Sequence, residues 1–160
     1  MASGPDAPRP RRDKASEDRT RSRRAARRLA RAAVFEAEFG QRTADAVLER
    51  HLAAEGDAEA SALAREIVGN VVLYRDSLDA RITAAAPQYP VVSLARMDRA
   101  LLRCGLCEVL HSPATPARVA IAEWVELART YSGDPMRRLM NGVLGRVARD
   151  QDATRRDTPV

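Results

Sequence analysis

Aromatic residues are scarce in this chain: one Trp, three Tyr and two Phe amount to 4% of its 160 residues. A core must then be assembled from Ala, Leu, Val and Ile, which favours helices over a β-sandwich. Cysteine is limited to two residues, too few for a disulfide scaffold, and nothing calls for an oxidising compartment. No apolar run approaches the ~18–20 residues that a membrane span needs. The N-terminus is basic but lacks the apolar centre of a secretory signal. Two isolated histidines, His51 and His111, with scattered serines give no nucleophile–base pairing. No Gly-rich loop of the phosphate-cradling kind is present. The expectation is a soluble cytoplasmic domain that is not an enzyme, needs no metal or cofactor and does not enter a membrane.

Arginine is what the chain has in excess. Lys14 is its one lysine, so 26 of the 27 basic residues are arginine. The formal net charge of +5 is unevenly spread. Residues 1–31 hold 11 basic residues against four acidic ones, net +7, and the remainder is net −2. A basic arm on a mildly acidic body is a footprint of polyanion binding.

Residues 1–20 combine Pro, Ser, Asp and Arg with few apolar side chains and read as a disordered basic extension. Residues 151–160 read the same way, leaving 21–150 as a single all-helical domain. The first helix is expected over 21–39, stopped by Gly40, with Arg21, Arg24, Arg28 and Arg31 along one line. Ala26, Leu29, Ala33 and Glu36 form another line, and Phe35 with Phe39 would anchor its far end in the core. Thr43 caps a second helix to about residue 54. After a turn at 55–57, Leu63, Ile67, Val71, Tyr74, Leu78 and Ile82 mark one continuous stripe on a helix over 58–86. Pro87 and Pro90 end it. A fourth helix over 93–110 is apolar almost all round and belongs in the middle of a bundle, with Arg96, Arg99 and Arg103 as its narrow polar line. Thr115-Pro116 and Asp134-Pro135 each set a cap before a helix, giving a fifth to about Tyr131 and a sixth to about Asp150. The product is an all-α bundle with short connections.

Three further features have competing readings. Cys104-x-x-Cys107 has redox or metal spacing, but it lies mid-helix in an apolar segment with no sheet and no further ligands, so core packing is expected. Glu123 and Glu126 read as a solvated acidic face. Asn141-Gly142 is a poor mid-helix pair; Gly142 and Gly145 would allow close helix approach while the Asn141 amide satisfies buried backbone groups.

Four stretches occur in an order that resembles the NusB family of bacterial transcription antitermination factors. They are RRAARRLARAAVFEAEFGQ (23–41), DRALLRCGLCEVL (98–110), VAIAEWVELARTYSG (119–133) and MNGVLGRV (140–147). The likeness covers about residues 21–149. It implies six to seven helices in two packed sub-bundles and no catalysis. It implies binding of the boxA element of nascent ribosomal RNA together with NusE, a small-subunit ribosomal protein, in a complex with RNA polymerase and other Nus factors. Family members occur as monomers and as homodimers, and both states stay open. A NusB-like domain also begins some ribosomal RNA cytosine methyltransferases; the absence of a following cofactor-binding domain sets that variant aside as an expectation. RNA contacts carried over from the family fall on Arg23, Arg24 and Arg27, on Phe35, and on Arg137, Arg138 and Leu139. Leu139 stands where the family commonly has phenylalanine, and Ile121-Ala122-Glu123 where it commonly has I-N-E.

Taken together, the candidate RNA-binding residues are Arg21, Arg23, Arg24, Arg27, Arg28, Arg31, Phe35, Arg137 and Arg138. The competing class is a helical adaptor whose basic arm meets an acidic protein or membrane surface.

Overall fold

In the computed structural model, which describes residues 11–158 with side chains from residue 13 on, the chain forms six α-helices. They are α1 (Arg11–Ala37), α2 (Ala44–Leu52), α3 (Ala58–Ala85), α4 (Arg96–His111), α5 (Ala117–Tyr131) and α6 (Asp134–Asp157), with a short 3-10 turn at Val91–Ser93 before α4. No strand occurs among the described residues.

Helix α4 is buried over its central ten residues because its sequence is apolar on nearly every side. Every residue from Ala100 to Val109 is buried, and α4 packs against α1, α3, α5 and α6. Helices α1, α2 and α3 pack on one another, and α5 packs on α6, so α4 joins two groups of helices. This is the expected all-α bundle of two packed parts. Gly105 lets α4 and α5 approach closely: a Cβ there would lie 3.2 Å from the Cβ and Cγ of Trp124 and from Leu144 Cδ1.

The helix ends follow local chemistry. Gly40, with φ of 76°, takes the left-handed conformation that ends α1. Thr43 caps α2 by accepting from the Ala46 N–H at 3.2 Å. Asp57 caps α3 through the N–H groups of Glu59 and Ala60. Two expected caps are replaced. Thr115 makes no cap for α5, since its hydroxyl is taken by Arg23. Asp134 already lies inside α6, whose N-cap is Gly133 at φ of 126°.

Other expectations need correction. Helix α1 starts at Arg11, ten residues before the expected Arg21, and α6 runs on to Asp157. Residues 13–20 and 152–157 are exposed, so apolar burial does not hold them. They persist because Arg, Lys, Ala, Gln and Glu are good helix formers attached to an already formed helix. Local contacts help, including Arg21 with Asp18 at 3.7 Å and the Thr20 hydroxyl on the Ser16 carbonyl at 3.0 Å. The disorder expected over 11–20 and 151–157 is thus replaced by helix, while that of 1–10 and 159–160 lies outside the described residues.

Phe39 is 53% exposed and does not anchor α1; its ring meets Phe35 edge-on at 5.4 Å and lies under the Arg96 guanidinium. Tyr74 breaks the α3 stripe by turning outward to stack on His111 at 3.9 Å. Asn141 and Gly142 face solvent, and Gly145 would meet only the Arg149 side chain, so none of the three mediates close helix approach. Cys104 and Cys107 are free, buried core residues, as expected. Burial raises both thiols, Cys107 to about 12, which keeps them unreactive.

Candidate nucleic-acid interface

The arginines of α1 divide into two lines because a helix turns 100° per residue. Arg23, Arg27 and Arg31, four residues apart, turn toward α4 and α5. Arg21, Arg24 and Arg28 turn toward solvent.

Arg27 is the most deeply placed. Only 2% of its side chain is exposed, and Glu108 opposite it on α4 is fully buried. Arg27 Nε donates to Glu108 Oε1 at 2.8 Å and Nη2 donates to Oε2 at 2.9 Å. The Trp124 Nε1–H of α5 donates to the same Oε1 at 3.0 Å. One carboxylate therefore ties three helices, and Arg27 is withdrawn from any surface that RNA could touch. This corrects its expected role: a guanidinium beside an apolar core finds the single acid on α4's otherwise apolar face.

The rest of the inward line is also engaged. Arg23 donates to the buried Thr115 hydroxyl. Arg31 lies over the Tyr131 ring at 3.8 Å and donates to Met97 Sδ at 3.5 Å, while its Nε is buried without a hydrogen-bond partner. Helices α1 and α5 are joined by these long side chains more than by backbone packing.

The outward line is open. Arg21, Arg24 and Arg28 share one side of α1 with Ser16, Glu17 and Thr20. Arg24 is half-exposed and donates from Nε and Nη2 to both oxygens of Glu123 on α5, at 3.1–3.3 Å. That carboxylate holds the Arg24 guanidinium above its ordinary value, chiefly through the hydrogen bonds. Glu123 is therefore a paired residue, in contrast to the solvated face expected of it. Glu126 does sit on the exposed side, paired with Arg129.

Phe35 is partly buried against the core and edge-on to Phe39. Arg137 and Arg138 open α6. Arg137 Nε donates to Asp134 at 3.2 Å, and Arg138 is exposed beside a concavity that includes Tyr89, Asp98, Ser132 and Leu139. No hydrogen bond or ion pair among the described residues joins this pair to the α1 arginines. Reading the sequence missed Glu108, Glu123, Thr115 and Tyr131 as partners of α1. The signal for one was present: an acid among the apolar residues of a buried helix requires a buried cation.

The family described as the NusB family matches residues 24–149. The chain belongs to the NusB family. Its NusB relatives include the transcription antitermination protein NusB of Dehalococcoides mccartyi, 35% identical over 131 residues, covering 81% of this chain and 92% of that protein. The protein of the same description from Symbiobacterium thermophilum is 35% identical over 137 residues, covering 80% and 90%. Among solved structures, T. maritima NusB superposes with a TM-score of 0.75 at 27% identity, covering 80% of this chain and 91% of that one. A chain from a crystal structure of antitermination factors NusB and NusE in complex with dsRNA gives 0.73 at 18% identity, covering 81% and 98%, a likeness of fold alone. This NusB-family chain is thus placed among transcription antitermination proteins. No helix among its described residues is long and apolar enough to cross a membrane.

Proposed function

We propose that this chain is a transcription antitermination factor that binds the boxA element of nascent ribosomal RNA together with NusE. On this reading it joins RNA polymerase and other Nus factors in the cytoplasm, supports processive rRNA transcription and performs no catalysis. The observation that carries the reading is the outward line of Arg21, Arg24 and Arg28 on a chain of this family. Residues 21–31 hold six arginines and no acid, so their positive field is cancelled only by acids reaching in from elsewhere.

Guanidinium groups grip phosphates in bidentate fashion. Phosphate contacts fix position and carry no sequence information, so choice of boxA falls to exposed base edges and to the protein partner. Arg138, exposed beside Leu139, extends the basic surface at a second place. Arg23 and Arg27 serve the fold beneath the outward line.

A gel shift with a boxA RNA and a scrambled RNA of equal length, with and without NusE, tests this. The expected result is a preference for boxA that NusE strengthens. The triple variant R21A/R24A/R28A should weaken binding and reduce the salt slope by about 2, at ~0.7 per lost phosphate contact on single-stranded RNA. Equal binding of both RNAs in the presence of NusE would overturn the reading.

A further inference from the structure

We infer that Glu123 sets the affinity of the RNA face: its carboxylate occupies the Arg24 guanidinium in the free protein as a stand-in for phosphate, and RNA binding exchanges one anion for the other. This rests on the RNA reading of the outward line.

The geometry is that of a phosphate contact already made internally. Arg24 offers Nε and Nη2 in a fork, and Glu123 receives it with both oxygens at 3.1–3.3 Å. A phosphate would use the same donors. Glu123 reaches across from α5 into a stretch of α1 that carries no acid of its own. The contact can be released at small cost, because the Arg24 side chain is 56% exposed and water competes for it.

The freed carboxylate is not stranded either. Its Oε2 already lies 3.8 Å from Arg27 Nη1, so Arg27 retains a share of its charge after Arg24 departs. Arg27 itself does not exchange, since its bidentate partner Glu108 is fully buried. One guanidinium thus swaps anions while Arg27, 3.8 Å from the Glu123 carboxylate, stabilises the anion left behind.

The test is a titration of a boxA RNA oligonucleotide against the full chain at 50 and 200 mM salt, using wild type, E123Q, R24A and R24A/E123Q. Circular dichroism melts check that all four fold. Glutamine keeps the shape of the side chain and removes its charge. The expected result for E123Q is binding about two- to fivefold tighter at low salt, the release of one exposed ion pair. Its salt slope should stay near the wild-type value, because the Arg24 contact releases the same RNA counterions in both proteins. In the R24A background this gain should disappear. E123A, which removes both oxygens, should give a change of the same sign. Unchanged or weaker binding by E123Q overturns the inference. So does an equal gain in both backgrounds, which would make Glu123 a source of diffuse repulsion. Absence of boxA binding by every variant, wild type included, overturns the RNA reading and this inference with it.

Discussion

Replacing Arg27 by methionine should damage stability far more than replacing any outward arginine. The substitution keeps an unbranched apolar stem but leaves Glu108, fully buried, with Trp124 Nε1–H as its remaining donor. Removing one partner of a buried ion pair costs about 3–5 kcal/mol, because the other charge stays in a poorly polarisable site. Domains are stable by only about 5–15 kcal/mol, so the loss is a large share of the total. At this chain length it corresponds to a fall in Tm of about 6–20 °C. Urea denaturation is the direct assay: the midpoint should drop while the slope, which follows exposed surface, stays the same. R28A is the control, since Arg28 is exposed and an exposed substitution should stay within about 0.5 kcal/mol of wild type. The double variant R27M/E108L should regain most of the loss, because well-packed apolar groups replace a buried pair at little cost. A deficit below about 1 kcal/mol for R27M, the range of an exposed pair, would refute the argument that this tie is sealed from water.

Two glycines of the same helical bundle should respond with opposite sign in thermal melts. G105A places a methyl group 3.2 Å from Trp124 and Leu144 and should cost about 1–3 kcal/mol through overpacking, whereas G142A meets nothing within 4 Å and should stabilise by about 0.5–1 kcal/mol. Asp57 supplies a pH signature. The Ser22 hydroxyl first, and then the Ala60 and Glu59 N–H groups, hold its carboxyl below the usual range, so its stabilisation is complete above the unfolded value of ~3.9 and is lost as pH falls through the lower folded value. The Tm difference between wild type and D57N should be constant above about pH 5 and shrink under acid; a difference that does not change with pH would contradict the assignment.

Most of the bundle was legible because helix stops, caps and apolar period are local signals. Gly40, Thr43 and the mostly apolar, buried stretch from Ala100 to Val109 each do in the structure what their sequence context predicts. The misplaced start of α1 has a physical cause: the reading weighed apolar burial, and residues 13–20 are helical without any. The arginine set was legible as a set but not as two lines. Arg24 and Arg28 are expected outside and found there. Arg27 differs because an arginine can enter a core when a carboxylate awaits it, and that partner lies 81 residues away. Glu123 was likewise hidden, because spacing within α5 says nothing of a cation on α1. The Asn141-Gly142 pair, both exposed, has no structural account.

Residues 13–20 of α1 are exposed, and Ser22 donates its hydroxyl to Asp57, the cap of α3. A free helix of that length is marginal in water, so its order is lent by the anchored turns that follow. Amide hydrogen exchange should therefore be fast toward Arg11 and slow abruptly near Ser22, with the mirror pattern along the last turns of α6 beyond Val147. Both helix ends should then fray from the tip inward, with the boundary between borrowed and intrinsic order just where the arginine run of α1 begins.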